Sequence, residues 1–73
     1  MNSKEELKEL QSLNKSVNAM IATIISQLEN NESYEWDTKY THFKVVNIVT
    51  VMLDNLNFRF QWLSEDKLII SIR

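Results

Sequence analysis

The sequence predicts an α+β fold: one long N-terminal helix packed on a three-stranded antiparallel β-meander. Three observations carry that expectation. Apolar residues recur at helical spacing from Leu7 to Leu28. Phe58-Arg59-Phe60-Gln61-Trp62 alternates strictly between apolar and polar. After the polar stretch Ser64-Glu65-Asp66, the alternation resumes at Leu68, Ile70 and Ile72. A period near 3.6 marks an amphipathic helix and a period of 2 marks a half-buried strand.

The helix is expected over residues 3–30. Ser3 and Glu6 have the spacing of a capping box, and Glu5, Glu6 and Glu9 place negative charge where the helix dipole favours it. The apolar stripe comprises Leu7, Leu10, Leu13, Val17, Met20, Ile21, Ile24, Ile25 and Leu28, wider than a simple seam. Asn30-Asn31 is the expected stop, because Asn tolerates the left-handed conformation that ends helices. Within residues 33–42, Tyr34, Trp36 and Tyr40 share one parity, so this stretch reads as a short strand or an irregular connection.

Residues 43–73 read as the meander. Val45 to Val51 is dense in β-branched residues, which favour strands. A helix would also unite Val45, Val46, Val49, Met52, Leu53 and Leu56 on one face. The strand is preferred because Asp54-Asn55 can form a two-residue hairpin turn ahead of the alternating strand. A second turn closing Leu63 onto Lys67 sets Trp62 against Leu68, Phe60 against Ile70 and Phe58 against Ile72. That face is the one the helix should cover. No repeat or linker divides the chain, so residues 1–73 should form a single domain.

Composition excludes more chemistry than it suggests. The 73 residues include no Cys, no Gly and no Pro, and a single His, with a net charge of -2. Disulfide, thiol and Cys-zinc chemistry are therefore out, as is any metal site needing two imidazoles. Phosphate-cradling loops need glycine, so nucleotide cofactors bound that way are excluded and no cofactor is expected. His42 is the only acid/base candidate near neutral pH and reads as an ordinary surface histidine. The serines lack a nucleophile elbow. Glu29, Glu32, Glu35 and Asp37 match no calcium loop and read as a solvated helix end. The chain is not expected to be an enzyme or to bind a metal. It opens on a charged helix with no signal peptide and has no apolar run of the ~20 residues that span a membrane. The expected location is cytoplasmic. Richness in Asn, Ile and Lys with no Gly or Pro fits an A/T-rich genome, such as that of a phage or mobile element.

What remains is binding. Written in heptads, Leu7, Asn14, Ile21 and Leu28 take a positions and Leu10, Val17 and Ile24 take d positions, and one Asn at an a position is a device for fixing register. A helix of this length, ~40 Å, should overhang strands of six to nine residues, which span only ~20–30 Å. Either it breaks near Asn14-Lys15-Ser16 or the overhang packs on a second subunit. The expected homodimer interface is Leu7, Leu10, Asn14 and Val17, with strand pairing along residues 68–73 as the competing geometry. Tyr34, Trp36 and Tyr40 form the candidate patch for a protein partner. The sequence thus reads as a small non-enzymatic regulator or inhibitor that binds a macromolecular partner as a homodimer. Two alternatives stand beside it. One is a nucleic-acid-associated factor gathering Lys39, Lys44, Arg59, Lys67 and Arg73 on a sheet face. The other is a structural subunit of a larger assembly.

Overall fold

The computed structural model describes residues 3–72 of the chain. Five elements follow one another: α1 (Ser3–Asn30), β1 (Ser33–Asp37), α2 (Phe43–Asn55), β2 (Arg59–Trp62) and β3 (Lys67–Ser71). The fold is α+β, with a long N-terminal helix, a second shorter helix and a three-stranded antiparallel sheet.

α1 is unbroken through Asn14-Lys15-Ser16. It stops where the paired asparagines stand. The Asn30 amide donates to the Ser26 carbonyl at 3.3 Å, and the Asn31 amide donates to the Gln27 carbonyl at 2.9 Å. Both side chains fold back onto carbonyls of the last turn, a local side-chain bond that competes with continuing the helix.

The strand order is β1-β3-β2, which corrects the expected meander. The third strand comes from residues 33–37, and the segment expected to open the meander is helix α2. Two physical reasons account for the difference. β1 and β2 both pair antiparallel to β3, so they run parallel to each other, and parallel strands need a long crossover that a helix commonly supplies. As a helix, α2 also buries Val45, Val46, Val49 and Leu53 together on one face. That packing outweighs the modest β propensity of valine. The anticipated hairpin at Asp54-Asn55 is absent because both residues belong to α2. The chain turns two residues later, at Asn57, whose φ is +63°. Asn57 N–H donates to the Asp54 carbonyl and Phe58 N–H to the Leu53 carbonyl, at 3.0 Å each. This is a Schellman closure with Asn in the position usually taken by Gly, in a chain that has no Gly.

The register expected between the last two strands is present. Phe60 pairs with Ile70, Trp62 with Leu68, and Leu63 N–H donates to the Lys67 carbonyl at 2.8 Å. On the other edge, Tyr34 pairs with Ile70 and Trp36 with Leu68. Both helices cover the face that carries Leu68 and Ile70, α1 packing on α2 and β1, and α2 on β2. Leu68 and Ile70 have no exposed surface, and they join Val17, Ile24, Leu28, Trp36 and the four α2 residues in one core. Phe58 and Phe60 are only half-buried, while Trp62 and Ile72 are exposed, because the helices cover the centre of that face and not its corners. We therefore expect Ile70→Ala to cost about 2–5 kcal/mol as a core deletion, and Phe60→Ala roughly 1–3 kcal/mol. Denaturant unfolding of the two variants should rank them in that order.

Candidate functional site

The described residues measure 43 × 24 × 19 Å, and α1 sets the long axis. Its 28 residues reach ~42 Å, whereas strands of five residues reach ~17 Å. The core begins at Val17, with Leu13 partly buried against it. Toward the N-terminus, Leu7 is 58% and Leu10 is 63% exposed. An ion pair of 2.7 Å, between Glu9 and the Lys44 ammonium at the start of α2, ties this overhang to the body. Hydrogen bonding by Lys44, and then its charge, hold the Glu9 carboxyl below its ordinary value of 4.5.

Of the expected dimer residues, Leu7, Leu10 and Asn14 are exposed on the overhang, but Val17 is buried in the chain's own core and is not available to an interface. The expected partner patch also separates. Trp36 is 3% exposed and is a core residue, Tyr34 is half-buried, and Tyr40 is 87% exposed in the connection to α2. Trp36 pairs with Leu68 on the central strand and so turns its indole under the helices. The three aromatics therefore do not form one surface. The competing strand-edge dimer along residues 68–73 is closed as well, because β3 is the central strand with both edges occupied.

The basic residues do not gather. Lys44 stands on α2 and not on the sheet, Lys67 lies 3.9 Å from Glu35, and Lys39 sits over the Tyr40 ring at 5.6 Å from its centre. Arg73 lies outside the described residues. His42 has a structural task. Its Nδ1 accepts from the Lys44 amide at 3.1 Å and caps the N-terminus of α2, and its ring stacks on Phe43 at 4.8 Å. Among the described residues, no group of His, Asp or Glu is placed to hold a metal ion, and no helix is long and apolar enough to cross a membrane.

Beyond the overhang, two further apolar surfaces stand uncovered among the described residues. The first is a groove of about 440 Å³ between the C-terminal half of α1 and the corner formed by Leu56, Phe58 and Ile72. Ile21, Ile25 and Leu28 form its α1 wall, and Glu29 brings the only charge among the described residues that line it. Ile25, Leu56 and Ile72 each expose more than half their surface. The second is the outer side of α2, where Val51 is exposed opposite the buried valines and Ile48 and Met52 are exposed along its flank. The sequence reading missed both surfaces, although the doubled apolar pattern of residues 45–53 was a signal for the second. One set of apolar residues fills the core and the other is left over. No protein-family model matches the chain, and no curated protein or solved structure matches it.

The polar contacts of this region can be checked directly. In Lys44→Ala, the Glu9 carboxyl should rise toward its ordinary value, read by NMR titration. In the wild type its folded-state value is lowered, so the stabilisation from this pair is present above the ordinary value and is lost as pH falls through the lowered one. His42→Ala should cost about 1 kcal/mol through loss of the cap, and His42→Asn should recover most of it, since Asn is a preferred capping residue. Thermal unfolding of the two variants checks this.

Proposed function

We propose that the chain is a small non-enzymatic protein-binding regulator or inhibitor that acts on a macromolecular partner as a homodimer. The observation that carries the reading is the outer side of α2. Its exposed residues Ile48, Val51 and Met52 fall at i, i+3 and i+4, so they form one apolar stripe on a capped helix. Val51 is 59% exposed although it lies within a helix whose opposite face is core. A helix already packed on the core has little backbone freedom to lose on binding, which favours affinity. Contiguous exposed apolar surface of this kind marks interaction sites.

Other features support the same reading. The one histidine is engaged as a helix cap, and Lys39, Lys44 and Lys67 lie beside carboxylates or an aromatic ring rather than in a phosphate-binding row. The overhang of α1 offers a separate surface for self-association, so partner binding and dimer formation do not compete. The A/T-rich composition suits a regulator or inhibitor from a phage or mobile element working in a host cytoplasm.

Cross-linking affinity purification from the producing or host cell, run on wild type and on Val51→Glu, tests the proposal. A partner protein captured by wild type should bind Val51→Glu at least ~10-fold more weakly, because the substitution places a charge to be desolvated in the interface. Retention of the partner at full affinity would move the site off α2. Binding to nucleic acid that falls steeply with salt would replace the reading altogether.

A further inference from the structure

We infer that the groove beside α1 is filled by the N-terminal half of α1 from a second copy of this chain, the two helices pairing antiparallel about a two-fold axis. This geometry rests on the homodimer in the proposed function and gives it a definite interface.

Leu7 and Ile25 are separated by five full turns of a 3.6-residue helix, about 27 Å, so their side chains leave α1 on the same side. Asn14 and Ile21 stand near that line, and Leu10 and Leu28 flank it on the side toward the core. The side of α1 that lines the groove in its C-terminal half is therefore the side that carries exposed leucines in its N-terminal half. A single straight helix cannot bring its two halves together. A second copy can, and a two-fold axis satisfies both halves at once.

With the axis near residue 16, Leu7 of each chain meets Ile25 of the other. Leu10, on the core-side flank, lies toward the other chain's Leu56 and Ile72. The same axis sets Asn14 of one chain against Asn18 of the other. Each amide both donates and accepts, so the polar pair near the centre satisfies itself and penalises other registers. The overhang of one chain then runs alongside the body of the other, which explains a helix longer than its own sheet. The Glu9–Lys44 pair does not obstruct this docking, because Glu9 lies well round the helix from the line through Leu7 and Ile25.

The area is sufficient. Leu7, Leu10, Ile25, Leu56 and Ile72 are each more than half exposed, with roughly 100 Å² of apolar surface apiece. Taken over two copies they approach the ~1,000 Å² that separates specific interfaces from incidental ones, before the surrounding aliphatic and amide groups are added.

The test is a charge exchange read by light scattering over a dilution series, with circular dichroism confirming that each variant keeps its helix content. Leu7 and Ile25 are exposed positions too far apart to meet within one chain. Wild type should have twice the chain mass at ~100 μM, a concentration at which a dimer of useful affinity is populated. Leu7→Lys and Ile25→Glu should each have the mass of one chain there, a loss of at least ~100-fold in affinity, since symmetry places every substitution in the interface twice. The double variant should recover the dimer, because the new ammonium of one copy faces the new carboxylate of the other. A wild type with the mass of one chain would overturn this inference and the dimer in the proposed function together. A dimer indifferent to both single substitutions would overturn the inference alone, and so would a double variant that stays monomeric. Partner capture through Val51 is read independently of all three results.

Discussion

Leu68 and Ile70 sit on the central strand with no surface exposed, and every other element is placed by reaching them. β1 and β2 pair with β3 on either side, setting Trp36 and Trp62 beside Leu68, and Tyr34 and Phe60 beside Ile70. α1 and α2 lie together over the same two side chains, with Ile24, Leu28, Val49 and Leu53 in the shared core. Among the described residues that core holds ten buried hydrophobic side chains, few enough that each must serve more than one neighbour. A chain this short buries only ~60% of the surface its unfolded form exposes. With no Cys to cross-link, little beyond packing holds the fold, and packing is concentrated on a strand of five residues.

That concentration explains what the sequence could reveal. α1 was legible from its period and its asparagine stop, and the β2–β3 register from two alternating runs and the turn between them. These are local patterns, and the local pattern wins where a single partner surface exists. α2 was not legible in the same way. Residues 45–53 carry apolar side chains on nearly every side, so neither a period of 2 nor a period of 3.6 is clean. The choice is made by the sheet. Trp36 brings β1 to the edge of β3 that a meander would have left open, and the chain must then cross back over the sheet to reach β2. Tertiary context overrides propensity here, and the absence of glycine hides the turn, because Asn57 adopts a conformation for which Gly is the usual signal.

The same cause limited what the sequence could say about the site. An alternating Tyr34-Trp36 pair reads equally as core or as surface until the order of strands is known, and the order places Trp36 inside. Val17 is the first α1 residue to reach the core, a boundary fixed by where the sheet ends and not by anything in the heptad pattern. Leu7 and Leu10 belong to the stripe by spacing, but only the shortness of the strands leaves them uncovered. The groove is assembled from α1, the end of α2 and the end of β3. Its walls are far apart in sequence, so it has no sequence signature.

The two edges of the sheet bear on how such a chain associates. The edge strands are short, five and four residues, and their outward-facing side chains include Glu35, Asp37 and Arg59. Short, charged edges resist the strand-to-strand addition to which small sheets are prone. Much of the exposed apolar surface lies instead on the helices. There it falls in two separate places. The Leu7–Ile25 line runs along α1 beside the groove, whereas Ile48 and Val51 face away from the core on α2. A dimer built on α1 leaves the outer side of α2 open in both copies, and it presents two equivalent apolar stripes to a partner. Two linked sites raise apparent affinity well beyond that of one, provided the partner's geometry lets both engage. In the proposed dimer, binding twice through a short stripe would achieve what a single larger interface otherwise requires.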